Sequence, residues 1–348
     1  MSSSSRPDGS DRRAAILGCA GTSLTAEERR FFAESRPAGF ILFQRNCTGP
    51  EQIRDLTAAL RDCVDDPTTP ILIDQEGGRV QRLKPPIWRQ APPAATIAGL
   101  YGQNPEKAAR AAWLTMRLIA HDLHALGIDV DCAPVLDNPV PGAHDVIGDR
   151  AWGHEVEQIA RLGRAVSEGL MAGGVLPVIK HIPGHGRSMV DSHHDLPVVE
   201  ASDAVLSASD LPPFHDLADQ PFAMTAHIRY TAWDADNVAT WSPVVIGNVI
   251  RKRLGFDNVL MSDDLSMKAL GGDFASRSRR SIAAGCDVVL HCNGDMNEMR
   301  PVVEACGVMT DAAKRRWRRA LAMRRTPEPA EPKALLAELN GLLGVGIA

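Results

Sequence analysis

Eight short apolar runs, each bounded by turn-forming residues, constrain the fold of this chain more than any other feature. The runs are Ala14–Gly18, Gly39–Phe43, Ile71–Asp74, Ile128–Cys132, Leu176–Lys180, Phe222–Thr225, Val259–Ser262 and Val288–His291. They lack the alternation of polar and apolar residues that marks a strand with one face in water. We therefore predict parallel strands that are covered on both faces.

Longer stretches with helical periodicity separate these runs. The predicted helices are Ala26–Glu34, Glu51–Val64, Pro105–Leu126, His154–Gly173, Ser242–Arg253 and Phe274–Ala284. The helical pattern is weakest over Ala201–Leu217, where Pro212 and Pro213 interrupt it. Eight strands in alternation with helices predict an α/β fold of the single (β/α)8 TIM-barrel type, with a doubly wound open sheet as the alternative.

The chain of 348 residues is predicted to hold one barrel and two short flanking segments. Residues 1–12 are expected to be a disordered Ser-rich tail and residues 13–325 the catalytic domain. Residues 326–348 are expected to form a Pro-rich hinge and a C-terminal helix packed on the barrel. The part that follows the last strand is too short for a second full domain.

Composition and charge exclude several classes of function. Lys and Arg number 38 against 43 Asp and Glu, and the net charge of −5 offers no basic surface for nucleic acid or an anionic membrane. No apolar run reaches the ~18 residues of a membrane-spanning helix. The seven cysteines lack zinc-ribbon spacing and lie mostly in apolar runs, which indicates reduced, buried thiols. The apolar run between Arg13 and Cys19 is shorter than the ~7–15 residues of a secretory core, so we expect a cytoplasmic protein.

Polar residues follow directly after several predicted strands, at the end of a barrel where active sites form. The third strand leads into residues 74–82, DQEGGRVQR, whose two glycines permit a sharp turn beside a ligand. A polar turn with surface ion pairs is the alternative. The seventh strand ends in Ser262, Asp263 and Asp264. Asp263 lies nearer the strand and suits a nucleophile or a metal ligand, whereas Asp264 suits the cap of a short helix.

The fifth strand leads into residues 181–195, which hold four histidines and two aspartates. His181 and His185 have the spacing of a zinc-binding helix, but a proline and a glycine between them disfavour that helix. Three interpretations stay open at this point. One is a loop-borne metal site that includes Asp191 and His193, and another is a hydrogen-bonded loop without chemistry. The third is an acid/base pair in which Asp191 orients the imidazole of His193.

Four segments resemble motifs of family 3 glycoside hydrolases, and more narrowly of single-domain β-N-acetylglucosaminidases of the NagZ type. They are DQEGGRVQR at 74–82, KHIPGHG at 180–186, DSH at 191–193 and SDDLSM at 262–267. Shorter matches are ILF at 41–43, APVLD at 133–137, IGDR at 147–150 and AGCD at 284–287. Ile182, in place of the commoner Phe, and His194, next to His193, are departures from the pattern.

The resemblance implies a role for each residue that matches a family motif. Asp263 is implied to be the nucleophile, His193 the general acid/base and Asp191 its partner. The implied sugar-binding residues are Asp74, Arg82, Arg150, Lys180 and His181. No metal or organic cofactor is implied.

The reaction implied by the resemblance is retaining hydrolysis of terminal, non-reducing β-linked N-acetylglucosamine through a covalent glycosyl-enzyme. The implied substrates are peptidoglycan fragments in cell-wall recycling. The expected partner is therefore a small carbohydrate, and the protein is expected to be a monomer or a weak dimer.

A histidine in the place of the usual second carboxyl group leaves other functions open. A phosphorylase is one, because an imidazole does not repel an attacking phosphate as a carboxylate does. A metal-dependent amidohydrolase built on the His/Asp cluster is another. A sugar-binding barrel without catalysis is the third, although it has no need of Asp263, Asp191 and His193 together.

Overall fold

In a computed structural model of the chain, which describes residues 12–192, 195–344 and 346, eight parallel strands close into a TIM barrel. The strands in chain order are β1 (Arg13–Leu17), β2 (Pro37–Leu42), β3 (Ile71–Ile73), β4 (Val130–Asp131), β5 (Leu176–Ile182), β6 (Val198–Val199), β7 (Phe222–Thr225), β8 (Arg229–Tyr230), β9 (Val259–Asp264) and β10 (Val288–His291). Strands β6 and β8 pair with each other outside the barrel, whose order is β1-β10-β9-β7-β5-β4-β3-β2. Strand β1 pairs with both β2 and β10, so the sheet has no open edge. The barrel prediction is confirmed, and the open sheet is excluded.

Helices pack around the barrel, eight of those described in the connections between strands and three after the last strand. They are α1 (Ala26–Ser35), α2 (Pro50–Cys63), α3 (Ala94–Ala98), α4 (Pro105–Ala125), α5 (Val156–Ala172), α6 (Asp203–Ser209), α7 (Pro212–Asp216), α8 (Phe274–Ala284), α9 (Met296–Cys306), α10 (Asp311–Ala322) and α11 (Pro332–Leu343). The segment with the weak helical pattern forms two short helices, and Pro212 begins the second because the first turn needs no N–H donor there.

Local sequence accounts for several boundaries of these elements. Thr25 begins α1 through a capping box, in which its hydroxyl accepts the Glu28 N–H at 3.1 Å and the Glu28 carboxylate accepts the Thr25 N–H at 2.9 Å. The predicted helix over 242–253 is a π-helix, Val245–Arg253, and not an α-helix. All seven residues of β5 are buried, and they include Lys180 and His181 near its end. Strand β5 therefore carries polar side chains into the upper end of the barrel.

The structure describes the C-terminal flanking segment almost completely and the N-terminal one only at Arg12. Residues 1–11 of the predicted tail lie outside the described residues. Arg12 is buried, donates to the carbonyl of Pro37 at 2.9 Å and pairs with Asp66 at 2.6 Å. At the other end, α11 packs against α4 with Leu339 buried. In the described part of the chain, no helix combines the length and the apolar character needed to cross a membrane.

Candidate active site

A cavity of about 280 Å³ opens at the carboxyl ends of the barrel strands. Six predicted site residues line it, namely Asp74, Arg82, Arg150, Lys180, His181 and Asp263. They come from β5, β9 and the segments that follow β3 and β4, because parallel strands all end at the same face of a barrel. Glu76 and Asp264 also contribute to the polar lining. The apolar lining is Phe43, Val80, Met224, Met267, Leu290 and Cys292.

Asp74 lies between two cations at the wall of this cavity. Its Oδ1 accepts a hydrogen bond from Lys180 Nζ at 3.0 Å, and its Oδ2 accepts one from an Arg82 terminal nitrogen at 3.0 Å. Burial by itself would raise the pKa of Asp74, but the Lys180 and Arg82 cations hold that pKa well below its usual range. Among the described residues, Arg82 Nε is buried and has no hydrogen-bond partner. The site thus holds an ionised carboxylate next to a guanidinium that has one unused N–H.

Glu76 joins the same network, although the sequence assigned it no role. Its Oε2 accepts the Arg150 Nε–H at 2.8 Å, and its Oε1 accepts a second Arg150 N–H at 2.8 Å. The Lys180 ammonium lies 2.6 Å from the same Oε1. Burial would raise the pKa of Glu76, but Arg150 and Lys180 lower it to about 2. The available signal was its place two residues after Asp74, which puts both side chains on the same side of an extended segment.

His181 is oriented by a buried aspartate from the segment after β4. Its Nδ1 lies 2.7 Å from Asp137 Oδ2, while Asp137 Oδ1 accepts the backbone N–H groups of His181 at 3.1 Å and His185 at 2.6 Å. Burial would raise the pKa of Asp137, but His181 brings it below its usual value. A carboxylate acceptor fixes the hydrogen on Nδ1 and leaves Nε2 of His181 for a ligand. Asp137 was part of the APVLD match, but nothing local in the sequence indicated its partner.

Asp263 and Asp264 stand side by side at the end of β9 with different surroundings. Asp263 lines the cavity, and its Oδ1 accepts the Asp264 N–H at 2.8 Å. The Asp264 carboxylate accepts the backbone N–H groups of Ser266 at 3.0 Å and Cys292 at 3.2 Å. Asp264 thus holds the turn after β9, and the short helix that it was predicted to cap is not formed, since the next helix begins at Phe274 with Asp273 as its N-cap.

The predicted acid/base residue His193 lies outside the described residues, as does His194. The two residues before it are described, and Asp191 is half-buried without contributing to the cavity lining. Ser192 is buried, with its hydroxyl 3.0 Å from His185 Nε2 and its carbonyl accepting the Ala269 N–H at 3.3 Å. Ala269 follows Asp263 by six positions. The loop that carries Asp191 therefore contacts the segment that carries Asp263.

The two histidines with zinc-helix spacing have other partners in the structure. His181 faces Asp137, and His185 faces Ser192. Burial lowers the pKa of His185 to about 4, so its ring is neutral at neutral pH. Within residues 12–192 and 195–344, no three His, Cys, Asp or Glu side chains are grouped so as to hold a metal ion.

Comparison with known proteins identifies the family. The sequence profile described as "Glycosyl hydrolase family 3 N terminal domain" matches residues 11–322. The chain belongs to glycosyl hydrolase family 3. The curated Beta-hexosaminidase of Alkalilimnicola ehrlichii is 40% identical over 282 residues, which cover 80% of each protein. The family and the glycosidase class predicted from the four motifs are confirmed.

Solved structures of this family share the fold. Native NagZ from Neisseria gonorrhoeae superposes with a TM-score of 0.85 at 31% identity, and the match covers 96% of this chain and 98% of that one. NagZ from the same organism in complex with N-trifluoroacetyl-D-glucosamine gives a TM-score of 0.84 at 32% identity over the same shares of the two chains. The barrel and its flanking helices are therefore similar over nearly the whole length of both proteins.

Proposed function

We propose that the chain hydrolyses terminal, non-reducing β-linked N-acetylglucosamine with retention of the anomeric configuration. In this proposal Asp263 forms a covalent glycosyl-enzyme intermediate, and His193 with Asp191 is the general acid/base. The observation that carries the proposal is that Asp263 shares one cavity with five side chains suited to sugar hydroxyls. At about 280 Å³ the cavity is near the lower limit of ligand pockets, which suits one terminal sugar and not an internal segment of a glycan.

The proposed first step is attack of the Asp263 carboxylate on the anomeric carbon while protonated His193 donates its proton to the leaving oxygen. In the second step neutral His193 takes a proton from water, which then releases the sugar. A free histidine has a pKa near ~6.5, so both forms are accessible around neutral pH. The Asp191 carboxylate two residues away favours the protonated form. Histidine therefore needs less pKa adjustment than a carboxylic acid for this role.

The relatives support an N-acylated hexosamine as the sugar that is bound. The solved structure with N-trifluoroacetyl-D-glucosamine is similar to this chain over 96% of its length, and the curated relatives are named Beta-hexosaminidase. In this chain, Met224, Met267 and Leu290 give the cavity an apolar wall beside Asp263. We assign that wall to the acetamido methyl group and the apolar face of the sugar, because contact with an apolar wall removes the apolar surface of both groups from water.

The natural substrates in this proposal are N-acetylglucosaminyl-anhydromuramyl fragments of peptidoglycan, cleaved in the cytoplasm during cell-wall recycling. The seven cysteines carry free thiols, and five of them are buried. Free thiols in this number are typical of a reducing compartment. The partner in this proposal is the small carbohydrate substrate.

The first test is the initial rate on an aryl β-N-acetylglucosaminide in excess chelator, with the aryl β-glucoside as the matched substrate. We expect steady hydrolysis of the first and little of the second. NMR of the early product should show the β-anomer, and the α-anomer would exclude retention. Activity that requires added zinc would restore a metal role for the histidines. Formation of N-acetylglucosamine 1-phosphate in phosphate buffer would replace hydrolysis by phosphorolysis.

The second test is the variant Asp263→Asn, which keeps the side-chain shape and removes the nucleophile. We expect kcat to fall by about 10³-fold or more, with an unchanged circular dichroism spectrum. A rate like that of the wild type would exclude the nucleophile role. His193→Ala should slow substrates with poor leaving groups most, because good leaving groups need little protonation. An equal loss for all leaving groups would indicate a structural role for His193.

A further inference from the structure

Glu76 is a buried carboxylate between two cations that the proposed function places on the sugar. Three nitrogen atoms lie within hydrogen-bond distance of its two oxygens. Two belong to Arg150, each at 2.8 Å, and the third is Lys180 Nζ at 2.6 Å. Both lone pairs of Oε1 are used by these contacts, and one of the two on Oε2 is used. Asp74, by comparison, accepts one cation on each oxygen and keeps a free lone pair on both. Glu76 is therefore suited to hold other side chains more than to bind a hydroxyl itself.

The two cations come from different parts of the barrel, and Glu76 joins them. Lys180 stands on β5, whereas Arg150 ends a short 3₁₀ turn in the long segment after β4. Arg150 is also tied to its own segment, because its remaining terminal nitrogen donates to the Val146 carbonyl at 3.1 Å. The Glu76 carboxylate thus fixes the direction of the Arg150 guanidinium and its distance from Lys180.

A second contact joins the segment after β3, which carries Glu76, to the segment after β4, which carries Arg150. Arg79 donates to the backbone carbonyls of Asp145 at 2.6 Å, Val146 at 3.0 Å and Ile147 at 3.1 Å. This contact fixes the backbone before Arg150, and it does not reach the Arg150 side chain. The Arg150 side chain is 11% exposed and pairs with Glu76, and an unpaired cation at such a buried position is costly.

The charge of Glu76 also matters for the balance of the cavity wall. Arg82, Lys180 and Arg150 bring three cations to this wall, and Asp74, Glu76, Asp263 and Asp264 bring four carboxyl groups. Of these four, Glu76 is the one that accepts two hydrogen bonds from Arg150. Loss of its charge would leave the Arg150 guanidinium without this partner and free to change its direction.

We propose that Glu76 is a positioning residue, which acts on the sugar through Arg150 and Lys180 and not by direct contact. The inference rests on the proposed function, in which these two cations bind the sugar. It extends that function to a side chain that the family motif contains and to which the resemblance assigns no role.

The experiment is a double-mutant cycle on Glu76→Gln and Arg150→Met, with N-acetylglucosamine affinity by calorimetry measured beside kcat and KM. We expect Glu76→Gln alone to lower kcat/KM by about 10- to 100-fold, mainly through KM, and to weaken N-acetylglucosamine binding by a similar factor. In the Arg150→Met background the same substitution should cost several-fold less than it does alone, because one of the two side chains that it positions is absent and only the effect through Lys180 remains. Glu106→Gln on the outer surface, whose carboxylate pairs with Arg161, is the matched control with an expected change below 2-fold.

Several results would overturn the inference. Kinetics of Glu76→Gln like those of the wild type would do so, and so would an undiminished loss in the Arg150→Met background. If Glu76→Gln does not fold, the cycle is run with Glu76→Asp, which keeps the charge and shortens the reach. A wild-type protein that binds N-acetylglucosamine without cleaving the aryl glycoside would contradict the proposed hydrolysis, and the binding arm of the cycle would still decide the role of Glu76.

Discussion

Buried and half-buried carboxylates lie between pairs of cations at both ends of the barrel, but their surroundings differ. Asp74 and Glu76 follow β3 at the upper end, where the cavity lies. Asp287 precedes β10 at the lower end and lies between Arg251 at 2.7 Å and Arg316 at 3.0 Å. The residue types and distances at the two ends are nearly the same.

The difference lies in what the cations do with their remaining hydrogens. At the lower end Arg251 also donates to the carbonyls of Phe256 at 2.9 Å and Asn258 at 2.7 Å, and Asp287 accepts the Leu260 N–H at 2.9 Å. These bonds join β9, β10 and the connection before them. At the upper end Arg82 Nε is left without a partner among the described residues beside a cavity. The lower pairs thus join neighbouring segments of the chain's own backbone, whereas the upper pairs line the cavity in which we propose that the sugar binds.

The largest effect is expected at the lower end. Asp287→Ala leaves Arg251 and Arg316 without their shared counter-charge, and removing one partner of a buried pair costs about 3–5 kcal/mol. We expect the free energy of unfolding in urea to fall by about that amount, while kcat/KM of the folded enzyme changes less than 2-fold. A loss of kcat/KM in fully folded Asp287→Ala would contradict the division of roles between the two ends.

At the upper end the effect should appear in activity instead. Asp74→Asn removes the charge that Lys180 and Arg82 face and weakens the charge-assisted contact to the sugar that we propose for Asp74. Such a contact is worth about 1.5–3 kcal/mol, so kcat/KM on the aryl N-acetylglucosaminide should fall by about 10- to 100-fold. The urea midpoint should move less than in Asp287→Ala. A variant that loses stability as Asp287→Ala does, with normal turnover, would show that the Asp74 pairs serve the fold.

Asp131 sharpens the comparison, since it is more deeply buried than Asp74 and forms no ion pair with a cation in the described residues. Its Oδ1 accepts the Gln75 N–H at 2.9 Å, and burial raises its pKa to about 7. A carboxyl group whose pKa is higher in the folded state than in the unfolded chain lowers stability as the pH rises between the two values. Asp131→Asn should therefore gain stability relative to the wild type from about pH 4 to 7, by at most ~1.4 kcal/mol per pH unit.

That difference should level off above pH 7, where Asp131 is ionised in both states. Urea midpoints of the two proteins at pH 4, 5.5, 7 and 8.5 measure it. A difference that stays constant over this range would mean that Asp131 titrates normally. Loss of activity together with the stability gain would show that the carboxyl group also supports Gln75 and the segment around Asp74.

The smallest effect is expected on the outer surface. Arg110 on α4 donates to both oxygens of Glu338 on α11 at 2.7 and 2.8 Å, with both side chains more than 40% exposed. Exposed ion pairs contribute about 0.2–1 kcal/mol and are screened by salt. Glu338→Gln should lower the free energy of unfolding by less than about 1 kcal/mol, and 1 M salt should remove the difference. A larger loss would mean that the α4–α11 contact depends on this pair more than on the burial of Leu339.

The elements that the sequence predicts well are those whose signal is local. The apolar runs of the eight barrel strands are each a few residues long and are buried on both faces. Such a run predicts a covered strand without any need to know which strands pair with it. The helix over 274–284 is predicted with the bounds that the structure has, from Asp273 at its N-cap to Gly285 after its end. By contrast, the π-helical hydrogen bonding of Val245–Arg253 leaves no trace in a pattern of apolar residues that is also compatible with an α-helix.

The sequence by itself determined the barrel, the family motifs and the list of polar side chains at the strand ends. Strand burial and motif spacing can be recognised within short segments, without knowledge of what those segments contact. The partners of Glu76 and Asp137 were decided by the tertiary structure alone. Glu76 meets Arg150 across 74 positions, and Asp137 meets His181 across 44. A carboxylate in a turn can face water, form an ion pair or bind a ligand, and the local sequence does not distinguish these. Its partner is selected when the barrel closes, because closure brings the segments after β3, β4 and β5 to the same end of the barrel.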